Sequence, residues 1–78
     1  MASILEKMTL SDLSSPQPIT VSEIDLPDDD AQRLKVLGIC EGRKVSLIQV
    51  GSPMVVEVCG SQIGISRRLA NGVVVKPR

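Results

Sequence analysis

"RLKVLGICEGRKVSLIQV", residues 33–50, joins a helix end, a tight turn and an apolar strand within one short stretch. Just upstream, "LPDDDAQ" (26–32) reads as a helix start. Asp28 or Asp29 can accept a hydrogen bond from the free amides there, and their charge suits the positive end of the helix dipole. Ala31, Leu34 and Leu37 recur every three residues, which predicts a helix over about 29–37 with a narrow apolar stripe. Arg33 and Lys35 lie off that stripe. Gly38 then stands where the last helical turn needs a residue of positive φ, and Ile39 folds back over the helix end. In "CEGR" (40–43), Gly42 is the turn residue that sends the chain into "KVSLIQV" as a strand.

Working outward, "TLSDL" (9–13) reads as one capped helical turn, with Thr9 or Ser11 as cap and Leu10 and Leu13 plugging a core. "SSPQP" (14–18) is expected to be irregular, because Pro16 and Pro18 have no amide proton. From Ile19 the alternation Ile-Thr-Val-Ser predicts a strand, and the phase break at Ile24 predicts a bulge near Ser22 and Glu23.

Beyond residue 43 only short strands follow. They are 44–50, then "MVVEV" with Met54, Val56 and Val58 on one face, then "QIGIS" with Ile63 and Ile65 inward, and last "VVVK". Asn71-Gly72 is a strong hairpin signal, since both residues tolerate positive φ. About five strands, one helix and no helices between the later strands exclude a βαβ sheet and predict a mainly β fold, a small, strongly bent antiparallel barrel. Residues 1–8 read as an N-terminal arm, expected to be poorly ordered, and 9–78 as the barrel domain.

Composition narrows function more than it defines it. The 78 residues hold no Phe, Tyr, Trp or His, and 42% are hydrophobic. Base stacking, aromatic peptide grooves and methyl-lysine cages all require π faces. Histidine is the usual acid–base group near neutral pH and a common metal ligand, and no other catalytic pairing stands out. An enzyme is therefore not expected, nor is a cofactor. Cys40 and Cys59 are not in a C-x-x-C pair and read as reduced thiols. The three consecutive aspartates point in different directions on a helix, so capping explains them better than a metal site.

Charge is uneven along the chain. Residues 1–32 carry one Lys and seven acids, whereas 33–78 carry eight basic residues and two acids. Either the halves interleave in the fold, or a basic face and an acidic end steer a charged partner. "MASILEKM" lacks the basic and apolar regions of a signal peptide, and no stretch is long and apolar enough to span a membrane, so a cytoplasmic protein is expected.

From "TLSDL" to the C-terminus the sequence resembles the FeoA family, accessory proteins of bacterial ferrous iron uptake. "RLKVLGICEGRKVSLIQ" is similar to that family's R-L-x-x-L-G-(hydrophobic)-x-x-G-x-x-V stretch, and "VEVCGSQIGISRRLANGVVV" to its final hairpin. Three features depart from the pattern. Ser15-Pro16 replaces the usual glycine, the turn before Pro53 is short, and Arg67 to Asn71 is abbreviated. The resemblance implies an SH3-like β-barrel and a partner, the FeoB-type permease with its GTP-binding domain, reached by contact rather than chemistry. Arg33, Lys35, Arg67 and Arg68 are the candidate partner-binding residues, Arg for its planar, two-oxygen fork. Asp28, Asp29, Gly38, Gly42, Asn71 and Gly72 are the structural caps and turns. The alternatives are an Fe(II) sensor or carrier using Cys40, Cys59 or Met54 with carboxylates, and a nucleic-acid-binding small barrel, which zero net charge disfavours. Self-pairing through a sheet edge stays open.

Overall fold

The computed structural model describes residues 8–77. The expected N-terminal arm lies outside them except for Met8. A 3-10 turn, Leu10–Asp12, is followed by β1 (Gln17–Ile24), α1 (Asp28–Val36), β2 (Lys44–Gln49), β3 (Met54–Val58), β4 (Ser61–Ile65), α2 (Arg67–Ala70) and β5 (Val73–Pro77). The strands form one antiparallel sheet in the order β4-β3-β2-β1-β5. Among the described residues no ladder joins β4 to β5, so the mainly β fold is an open, not a closed, barrel.

The helix-to-strand stretch folds as its glycines require. Gly38 has φ +96°, its N–H donates to Lys35 O at 2.9 Å, and the Ile39 N–H donates to Leu34 O at 2.9 Å. These two bonds satisfy carbonyls that the helix end leaves open, and Leu34 and Ile39 are both buried beneath them. Gly42, at φ +87°, donates to Val21 O at 2.7 Å, while the Val21 N–H donates to Arg43 O at 2.9 Å. The turn is thereby stitched to β1.

The helix start is a correction. Pro27 occupies the N-cap and no side chain caps the helix; Asp28, Asp29 and Asp30 instead fill its first turn. Proline fits there because the amide it lacks has no helical partner at that position, and the carboxylates still favour the dipole. The apolar stripe is also shorter than expected. Leu34 is buried, but Leu37 is 48% exposed, because the left-handed step at Gly38 turns the chain away.

The N-terminal turn forms as expected. The Asp12 carboxylate accepts from the Thr9 N–H at 2.9 Å, and Leu10 and Leu13 enter the core. Pro18, expected in an irregular segment, lies within β1 opposite Ser46. It falls beyond Ile19↔Pro77, the last described pair of the β1–β5 ladder, so among the described residues no β5 acceptor is left waiting for its amide. The bulge near Ser22 is present as a register shift between Val21 and Glu23. On β3, Met54, Val56 and Val58 are all buried; on β4, Ile65 is buried and Ile63 only half-buried.

Asn71-Gly72 does not form a hairpin. β4 and β5 lie at opposite ends of the sheet order, so a two-residue link between paired strands is impossible. A second helix, α2, makes the crossing, and the expectation of a single helix is corrected accordingly. The Ser66 hydroxyl accepts from the Leu69 N–H at 3.3 Å at its start. Asn71 has φ −65°, and its side-chain oxygen accepts from the Ser11 hydroxyl. Gly72 is required by close approach, since a Cβ there would run into the Leu26 side chain and come within 2.6 Å of Asp25 O.

Candidate functional site

α1 separates two surface hollows. With Leu34 turned to the core, Gln32, Arg33, Val36 and Leu37 line a shallow, apolar depression of about 360 Å³. Val36 is 76% exposed, on a helix whose other apolar side chains turn at least partly inward. Across the helix a second hollow of about 500 Å³ is lined by Ile24, Ala31, Lys35, Ile39, Cys40 and Glu41. Arg33 and Lys35, two positions apart, therefore serve different surfaces.

Arg67 and Arg68 are on α2. Arg68 Nη1 donates to Asp30 Oδ2 at 2.9 Å, and Nη2 lies 3.4 Å from Oδ1, a two-pronged contact that sets α2 beside the first turn of α1. The hydrogen bond from Arg68, with the nearby charges of Arg68 and Arg33, holds the Asp30 carboxyl below its usual range despite some desolvation. The same pairing raises Arg68 above the usual guanidinium value. Of the four candidate cations, Arg33 and Arg68 thus act on one carboxylate, and Arg67 and Lys35 make no ion pair among the described residues. The acidic and basic halves of the chain meet at this contact.

The residues missed by sequence reasoning are Val36 and Leu37. An apolar side chain at helical spacing looks the same in sequence whether it is covered or bare; the signal that was present is the consecutive Val36-Leu37 pair, which one narrow stripe cannot bury together.

The two cysteines are free thiols, Cys40 half-buried and Cys59 exposed. Arg43 Nη1 lies 3.2 Å from Cys59 Sγ. Among the described residues no three of His, Cys, Asp and Glu gather as a metal site would need. No described helix is long and apolar enough to cross a membrane.

The solution structure of the FeoA protein from Chlorobium tepidum superposes with a TM-score of 0.81 at 26% identity, covering 90% of this chain and 70% of that one. A crystal structure of an iron uptake regulatory protein (FeoA) gives 0.83 at 22% identity, covering 94% and 99%. The manganese regulator SloR shares the fold over 34% of its own length, with a TM-score of 0.81 at 11% identity. No curated protein matches the sequence. The FeoA domain model matches residues 8–77, nearly the whole chain, and the chain belongs to the FeoA family, which is associated with ferrous iron transport.

Proposed function

We propose that this protein is a non-enzymatic, cytoplasmic accessory factor of ferrous iron uptake that acts by contact with the FeoB-type permease. The observation that carries this reading is the bare end of α1. Val36 and Leu37 stand exposed beside Arg33 on a helix anchored from beneath by Leu34. An exposed apolar pair with a charged rim suits a protein–protein contact, and an Arg at the rim pairs well with a partner carboxylate. Arg67 and Lys35 extend the charged surroundings, while Arg68 is held by Asp30 and serves mainly to orient α2.

The test uses the full-length permease in nanodiscs, titrated with this protein with and without GTP. Saturable binding is expected, weakened at least about tenfold by Val36→Asp, a loss of about 1.4 kcal/mol. The variant's melting temperature should be near wild type, since Val36 is exposed. Absence of binding at the highest soluble concentration overturns the reading.

A further inference from the structure

The two ends of the sheet are treated differently. The outer side of β5 is partly covered, because the Val75 N–H donates to Met8 O at 2.8 Å and Thr9 bridges Val74. It also carries Lys76 and Pro77, side chains that discourage a further strand. β4, Ser61-Gln62-Ile63-Gly64-Ile65, has neither a charge nor a proline, and no turn, loop or cap hydrogen bond from another described element reaches it.

Which main-chain groups of β4 face outward follows from its hairpin. Cys59 and Gly60 both have positive φ, 51° and 85°, as a two-residue type I′ turn requires. Val58 and Ser61 flank that turn and form a hydrogen-bonded pair, and the pattern then alternates along the ladder. Ser61, Ile63 and Ile65 direct their N–H and C=O groups to β3. Gln62 and Gly64 direct theirs away from it, and both residues are exposed.

We propose that β4 is a self-association edge whose partner is β4 of a second copy of this chain, paired antiparallel about a two-fold axis at Ile63. In that register Gln62 meets the partner's Gly64 and Gly64 meets the partner's Gln62. These are the residues whose main-chain groups are free to exchange both bonds. Ile63 meets the partner's Ile63 as the intervening non-hydrogen-bonded pair, where side chains approach most closely. A two-fold axis sets a strand against its own sequence, so charged residues in β4 would be brought near their own kind. β4 has none. An uncharged strand with its outward donors and acceptors symmetric about its middle residue is complementary to itself, whereas nothing in it selects a charged partner strand.

The association is weak. Five residues a side fall well short of the roughly 20–30 of a standard stable interface, so dissociation constants of about 0.1–1 mM are expected. The proposed register engages β4 residues alone, so the dimer needs no permease.

Sedimentation of the full chain from about 20 μM to about 2 mM brackets that range. The apparent mass should rise from that of one chain toward that of two, and amide exchange at Gln62 and Gly64 should slow with concentration while that at Ser61 and Ile63 does not. Gln62→Pro removes an amide that β3 does not use, so the variant keeps its melting temperature and stays a single chain throughout. Val36→Ser dimerises like wild type. A wild-type mass that never rises overturns the proposal, and so does association undiminished in a folded Gln62→Pro variant. Should that variant unfold, the exchange pattern of the wild type decides, and concentration-dependent protection centred elsewhere rejects β4 as the interface.

Discussion

Arg68 reaches back across 38 positions to grip the Asp30 carboxylate, with Nη1 2.9 Å from Oδ2. This contact ties the acidic first turn of α1 to a helix encoded in the basic part of the chain. The Asp30 carboxyl is held below its usual range, first by the Arg68 hydrogen bond. A carboxylate with a depressed folded-state value adds stability that is fully present above its unfolded value and is lost as pH falls through the folded one. Arg68→Ala should therefore lower the melting temperature modestly at neutral pH, and the difference from wild type should vanish under acidic conditions. The Arg68 side chain is 67% exposed, so added salt should shrink the difference as well. A difference independent of both pH and salt would assign the effect to packing. Thermal melts across pH and salt measure it.

Gly38→Ala should destabilise the protein by more than about 1 kcal/mol, because alanine is strained at φ +96°. Its Cβ would also stand 3.0 Å from Val58 Cγ1, tighter than ordinary contact. In a domain of this size about 1 kcal/mol lowers the melting point by about 4–8 °C, readily seen by circular dichroism. An unchanged melting temperature would refute the role of Gly38 as helix terminator.

Gly72→Ala should cost about 1–3 kcal/mol for a different reason, overpacking against Leu26 and Asp25 O. Shortening the obstructing side chain separates this from a backbone effect. The Gly72→Ala/Leu26→Ala double variant should lose less stability than the sum of the two single changes. Strict additivity in chemical denaturation would show that the Leu26 contact is not the cause.

Cys59→Asn should stabilise the protein by about 0.5–1 kcal/mol, since Asn tolerates the left-handed backbone that Cys59 adopts at φ 51°. The variant places Asn-Gly at a type I′ turn. It also removes the sulfur that Arg43 contacts, an exposed interaction of little consequence. A lower midpoint in urea would mean that the Arg43 contact outweighs the turn strain.

Most local features were legible in the residues themselves. The stop at Gly38, the turn at Gly42, the capped segment after Thr9 and the alternation of β3 each depend on dihedral preference or side-chain period over a few neighbours. The second helix could have been read from Ser66 as a cap three residues before Leu69, but the Asn71-Gly72 signal competes with it. Of the candidate site, the cations were visible as residue types, but which of them is free was not. Arg68 and Asp30 become partners only when α2 is laid against α1.

Strand order, the bare Val36-Leu37 end of α1 and the need for glycine at 72 were decided by tertiary structure. Each depends on which distant segment arrives nearby, Leu26 beside Gly72 and β1 rather than β4 beside β5. Sequence by itself determined where the backbone must bend and which side chains avoid water. Only the assembled sheet determined which apolar groups found cover, because burial is a property of neighbours and not of the residue.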